Sequence, residues 1–331
     1  MSKRHLTRQQ QQRIAAQQQR ALDGPVGDAS RDACNGRIVS HFGRQVQAEA
    51  LAGEAAGTLV QCHQRANLPD LVTGDLVVYE TDADGSGVIL ARGERRNVFS
   101  RPDNRGRARP LAANIDCVLI VIAAVPQPFM NLIDRYLVAV EHLGLAPVLV
   151  LNKTDLLDDS NQLELVNMLS IYDRLGYPVF RVSASDGSGM QALEEALAGQ
   201  TTILVGQSGV GKSSLINRLG GDALTIVGDL SEARGKGTHT TTTARLYHLR
   251  HCDLIDSPGI REFHLAHLDS EQVLQGFPEL RALAGQCRFR NCRHQGEPGC
   301  AIEQALHDGA IHRLRWQSYC HLRDTLPAPD Y

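Results

Sequence analysis

The sequence predicts a multidomain chain: an N-terminal OB-like β-barrel, a central α/β domain with a parallel sheet, and a small C-terminal helical module. Three observations predict it. Short β-like runs separated by turn residues fill 36–90, long apolar runs alternate with helical periods over 116–219, and three cysteines and a histidine crowd into 287–300. The expected divisions are a tail at 1–33, the barrel at 34–102, the α/β domain at 103–265 and the C-terminal module at 266–331.

The tail contains Gln, Ala and Lys3, Arg4, Arg8, Arg13 and Arg20, with no acid before Asp23. Without large apolar residues such a segment cannot build a core, so a basic, Gln-rich flexible tail is expected. The barrel is read from Arg37-Ile38-Val39 with Val46-Gln47-Ala48, then Thr58–Cys62, Asp75–Tyr79 and Gly87–Leu90, broken at Gly53, Gly74 and Gly85. About seventy residues of short strands suit a small Greek-key barrel. Arg95, Arg96, Arg101, Arg105, Arg107 and Arg109 follow, with Phe99 among them, and read either as an RNA-backbone contact or as a solvated linker.

In the central domain, 116–124 is a continuous apolar run, as a strand buried on both faces requires. A helical period over 131–143 and a second buried run at 147–151 follow, and the alternation continues through 163–175, 179–182 and 190–197. Ligands of such a sheet gather at the strand C-termini. There the chain places Gly206-Gln207-Ser208-Gly209-Val210-Gly211-Lys212-Ser213-Ser214, between the apolar run 203–205 and a helix from Leu215. This is the G-x-x-x-x-G-K-[ST] loop, in which glycines let backbone N–H groups turn toward phosphate oxygens and the helix dipole assists. Lys212 is expected on the β- and γ-phosphates and Ser213 on Mg²⁺.

Asn152-Lys153-Thr154-Asp155 ends the second strand. A carboxylate at Asp155 can accept from guanine N1–H and the exocyclic amine together, whereas adenine would leave it unpaired; polar sites discriminate strongly in this way. Asn152 is expected on the other base edge, the Lys153 stem over the ring, and Ser183-Ala184 as support from the next strand. Asp256-Ser257-Pro258-Gly259 completes the set, with Asp256 near Mg²⁺ and the Gly259 N–H sensing the γ-phosphate. Between them, Thr240 or Thr241 in a Gly/Thr-rich segment should close over Mg²⁺. Where many GTPases carry a water-orienting glutamine this chain has Ile260, so slow intrinsic hydrolysis is expected, with His239, Arg234 or a partner group orienting water.

Cys287, Cys292, His294 and Cys300 form a Cys₃His set of the structural zinc type. Arg288, Arg290, Arg293, Arg313, Arg315 and Arg323, interleaved with Trp316 and Tyr319, suit RNA backbone and exposed bases, although Trp316 reads better as core.

Asn-Lys-Thr-Asp and Ser-Ala precede the phosphate loop, the reverse of the usual order, so the α/β domain reads as a circularly permuted P-loop GTPase domain. With the barrel, His239-Thr240-Thr241 and the cysteine cluster, the chain resembles the RsgA (YjeQ) family of circularly permuted GTPases that depend on the small ribosomal subunit. That resemblance implies GTP hydrolysis on the small (30S) subunit during late maturation, rRNA contact by both outer domains, one structural Zn²⁺, Mg²⁺ with GTP, and His239 as a catalytic group. Other assembly factors are further expected partners. A GTP-controlled switch on a different RNA and an ATP-using enzyme are the alternatives, the latter opposed by Asp155.

Composition bounds the rest. The 331 residues suffice for several cores, and 42% apolar with 21% charged residues is ordinary for globular proteins. A net charge of −3 assigns no partner by itself. No run approaches a bilayer span, the start is unlike a secretory leader, and the other cysteines are scattered, so a reduced cytoplasmic monomer without a membrane partner is expected.

Overall fold

A computed structural model describes residues 33–42, 45–65, 68–83, 85–102, 108–158, 162–221, 244–256, 265 and 268–326. The basic tail, Arg234, His239, Thr240, Thr241, Gly259 and Ile260 lie outside the described residues.

Strands β1 (Gly36–Phe42), β2 (Gln45–Ala50), β3 (Leu59–Gln64), β4 (Leu76–Thr81) and β5 (Gly87–Arg92) run in the order β1-β2-β3-β5-β4, and β4 pairs back onto β1. That closure makes a five-stranded barrel, as the short, turn-punctuated runs anticipate. Its core is Ile38, Val46, Ala48, Cys62, Val77, Tyr79 and Ile89.

The basic stretch after it is not an extended linker. β6 (Val98–Pro102) and β7 (Ala108–Ala113) pair as a hairpin across the 102/103 division, with Phe99 fully buried. Arg95 binds the buried Asp75 through two bonds of 2.6 and 2.8 Å, and Arg96 pairs with Asp116 at 2.7 Å. Two of the arginines expected on RNA are therefore tied into the protein.

The central sheet runs β10 (Val179–Arg181), β9 (Ala146–Asn152), β8 (Cys117–Ala123), β11 (Thr201–Val205), β13 (Asp253–Asp256), β12 (Arg245–His248). All neighbours are parallel except β12–β13. Every residue of β8 is buried because alternate side chains feed two cores. Val118, Ile120 and Ile122 face one with α1 (Met130–His142) and α2 (Gln162–Arg174), while Leu119, Val121 and Ala123 face the other with α3 (Met190–Leu197) and α4 (Lys212–Gly220).

The barrel is joined to this sheet by strand pairing and by charge. β1 pairs with β12 at Ser40 and Arg245, and the buried Thr73 hydroxyl donates to the Ala244 carbonyl at 2.8 Å. Arg37 bridges Asp253 at 2.6 Å and Glu49 at 3.1 Å; His248 meets the same carboxylates at 2.6 and 2.9 Å. Hydrogen bonds to Asp253 and Glu49 push the His248 imidazole up to about 9, so it is a cation at neutral pH. Burial raises the Glu49 and Asp253 carboxyls, but His248 and Arg37 outweigh it and hold both below the usual range.

The C-terminal module contains α5 (Ser270–Gln275), α6 (Pro278–Arg281), α7 (Ala301–His307) and α8 (Arg313–Asp324). Asp269 and Gln272 cap α5 reciprocally, satisfying helix-end donors. The module docks on α1 and α2 through Arg315, which is 1% exposed. Its guanidinium grips Glu279 through two bonds of 2.7 and 3.1 Å and binds Asp134 of α1, which also accepts from the Tyr172 hydroxyl at 2.7 Å. Arg315 also lies 4.4 Å from the Phe277 ring centroid. Burial works against this cation, but Asp134 and Glu279 outweigh it and keep Arg315 charged. The expectation that Arg315 faces RNA is corrected: its partners were too distant in sequence to see. Trp316 packs against Tyr319 and His294 at 5.2 and 6.4 Å, in keeping with its reading as core.

Candidate nucleotide site and metal centre

The phosphate loop begins where β11 ends. β11 is hydrogen-bonded on both sides, to β8 and β13, so the loop sits at the centre of the C-terminal sheet edge. Gly206 has φ 145°, and a Cβ there would lie 2.2 Å from the Val121 carbonyl oxygen. Gly211 has φ 91° immediately before α4, and a Cβ there would lie 2.4 Å from Asn152 Nδ2. Both positions need glycine, for backbone conformation and for space.

Side chains draw this loop together with the strand ends beside it. Lys212 Nζ donates to the carbonyls of Gly206 and Gln207 at 2.6 and 2.7 Å, spanning the loop from its helical end. Asn152, 1% exposed at the end of β9, donates to the Val210 carbonyl at 2.9 Å and accepts from the Ala184 N–H at 3.2 Å. Of the amide's four hydrogen-bonding positions, these use one donor and one acceptor. Lys153, in the left-handed region at φ 61°, donates to Gly209 at 2.5 Å and Val125 at 2.8 Å. Thr154 N–H reaches the Val182 carbonyl at 3.2 Å, fixing the β9 and β10 ends side by side.

Asp155 is exposed, and its Oδ1 accepts from the buried Ser183 hydroxyl at 2.6 Å. That bond ties the Asp155 carboxylate to the end of β10 while leaving its residue open to solvent. Ser208, Gly209, Ser213 and Ser214 of the phosphate loop are exposed, while Val210 is buried. Asp256 ends β13 in register with Leu204, one strand from the loop. The described residues thus bring together Asn152, Lys153, Thr154, Asp155, Ser183, Ala184 and 206–214, with Asp256 on the adjoining strand. An anion cradle, a lysine across it and an acceptor carboxylate can bind a guanine nucleotide.

Sequence reading missed Val125, whose carbonyl braces Lys153, and Asp186, whose N–H donates to Ser183 Oγ at 3.2 Å. The signal available for Val125 was its place just beyond the C-terminus of β8, where parallel sheets collect their ligands.

In the C-terminal module, the ligand atoms of Cys287, Cys292, His294 and Cys300 lie within 4.8 Å of one another. His294 Nδ1 is 3.5 Å from Cys287 Sγ and 3.4 Å from Cys300 Sγ, and those two sulfurs are 4.0 Å apart. A tetrahedral ion about 2.3 Å from each thiolate would hold sulfurs about 3.8 Å apart. The set could hold a metal ion on donor type and spacing alike. His294 reaches the cluster from the left-handed region at φ 58°. Glu297 stabilises the turn, accepting from the N–H groups of Gln295 and Arg293 at 2.6 and 2.9 Å; those bonds hold its carboxyl down at about 2.

Residues 92–266 match the family model for the RsgA GTPase. The small ribosomal subunit biogenesis GTPase RsgA of Azotobacter vinelandii is 51% identical over 343 aligned positions covering all of both chains. The protein of the same name from Ectopseudomonas mendocina is 50% identical over the same span. Among solved structures, YjeQ from Thermotoga maritima superposes with TM-score 0.72 at 31% identity, covering 89% of this chain and 99% of that one. YloQ, a circularly permuted GTPase, gives 0.68 at 27% identity, covering 89% and 96%. The permuted order of site elements, the barrel before them and the Cys₃His module after them agree with these matches along the whole chain, and the chain belongs to the RsgA GTPase family.

Proposed function

We propose that this GTPase binds the small (30S) ribosomal subunit, assists its late maturation, and hydrolyses GTP at a rate that the subunit raises. The observation that supports this reading best is relatedness of 51% along the full length of a protein named for small-subunit biogenesis. In this reading 206–214 holds the phosphates, with Lys212 on the β- and γ-phosphates, and Asp155 selects guanine. Lys153 covers the base, and Asn152, Ser183, Ala184 and Thr154 brace that pocket. Ser213 and Asp256 would hold Mg²⁺, which would supply charge neutralisation at the phosphates. Thr240 or Thr241 closes over Mg²⁺, the Gly259 N–H senses the γ-phosphate, and His239, or else Arg234 or a partner group, orients the attacking water that Ile260 cannot hold.

Cys287, Cys292, His294 and Cys300 hold one structural Zn²⁺, because a closed Cys₃His set leaves no open position for chemistry. The protein works as a cytoplasmic monomer, with rRNA, GTP, GDP and other assembly factors as partners. Among the described residues no helix is long and apolar enough to cross a membrane.

Co-sedimentation with purified subunits tests the proposal. Binding to small subunits, stronger with a non-hydrolysable GTP analogue than with GDP, is expected. Equal binding to small and large subunits, or to neither, would contradict it.

A further inference from the structure

Resting on the proposed rRNA contact, we infer that the cleft beside the Cys₃His cluster is a pocket for one unstacked nucleotide of single-stranded RNA, with Phe289 as its stacking platform. Phe289 is a large ring left 44% exposed, placed between Cys287 and Cys292. Its turn is pinned at two points: Arg288 N–H donates to Gly299 at 3.0 Å, and Cys292 N–H donates to the Phe289 carbonyl at 3.2 Å. An exposed phenyl held this way is preorganised for a partner with a flat face, and stacking then costs little ordering entropy.

The cleft that Phe289 lines has a volume of about 690 Å³. Arg290 and Arg293 line it too, and Arg288 places its guanidinium 5.5 Å from the Phe289 ring centroid. All three arginines are exposed, and among the described residues none has an ion-pair partner. Arg323, also in the lining, differs: it is paired with Asp324 at 2.8 Å and lies over Tyr319. Arg290 and Arg293 in the lining complement a phosphate on either side of a base, while Arg288 lies against the Phe289 ring and the carboxylates of Glu271 and Asp324 share the cleft. A duplex hides its base faces in the stack, so the complementary form is single-stranded.

The test uses the full-length zinc-loaded protein and a fluorescein-labelled, unstructured 12-nucleotide RNA, followed by anisotropy at several salt concentrations. Phe289→Leu keeps an apolar group and removes the π-face; it should weaken the single strand about 5- to 150-fold with the salt slope unchanged. Phe289→Trp should restore binding, and Arg290→Gln with Arg293→Gln should lower the salt slope. Wild-type affinity in Phe289→Leu at unchanged zinc content overturns the pocket. So does failure of the wild type to bind the single strand, or equal affinity for a duplex of the same length. Small-subunit stimulation of GTP turnover, measured in parallel, separates the two readings: overturned RNA binding with stimulation intact removes the pocket alone.

Discussion

Arg315→Met removes the cation at the seam between the C-terminal module and the GTPase domain while nearly preserving the volume of its stem. In the wild type, Asp134 is fully buried and Glu279 is nearly so, and Arg315 is the cation that both share. Without it the two carboxylates stay in an apolar setting beside Phe277 and Tyr172. Breaking a buried pair from one side costs about 3–5 kcal/mol, a large part of the roughly 5–15 kcal/mol that holds a typical domain folded. Because the charges lie at a seam, the loss should appear first as undocking of 268–326. Hydrogen exchange resolved by peptide should show faster exchange in α1, α5 and α8, with the urea midpoint lowered. Adding Asp134→Leu and Glu279→Gln to Arg315→Met should recover much of the loss, since no uncompensated charge remains. A single variant within about 0.5 kcal/mol of wild type, typical of a neutral surface change, would refute this account of the seam.

Other perturbations follow the same geometry. His248 is raised from its ordinary 6.5 to about 9, so its contribution is fully present below pH 6.5 and is lost as pH rises through about 9. That difference corresponds to about 3 kcal/mol, so urea midpoints should fall between pH 6 and 9.5, and His248→Gln should flatten the fall. Gly211→Ala puts a methyl against Asn152 at φ 91° and should weaken GDP binding measured by calorimetry by at least tenfold; unchanged affinity would contradict the brace. Cys300→Ser should reduce bound zinc below one per chain by elemental analysis and expose 287–300 to proteolysis, because metal binding contributes folding energy to such a small segment.

The barrel, the alternating central domain and the motif residues were legible because each is local: a period, a turn residue or a tetrapeptide at a strand end. The Cys₃His set was legible for the same reason. What was not legible depends on distant partners. Arg315 looked like one more basic residue among aromatics, since Asp134 stands 181 positions away. Arg37 carries no hint of Asp253, 216 positions on, nor β1 of its pairing with β12. The 95–109 arginines read as an RNA contact or a solvated linker because Asp75 and Asp116, which hold Arg95 and Arg96, belong to other elements. Phe289 was passed over because a single aromatic between cysteines has no period; its exposure beside the arginine-lined cleft emerges only from the fold.

In the proposed function, GTP turnover at this site answers to the small ribosomal subunit. The most direct measurement is the rate of phosphate release by the purified protein alone, with small subunits and with large subunits. Turnover should be slow alone, rise by up to roughly 10³–10⁵ with small subunits, stay unchanged with large subunits, and be lost in Lys212→Ala. Equal rates in all three conditions would contradict the proposal.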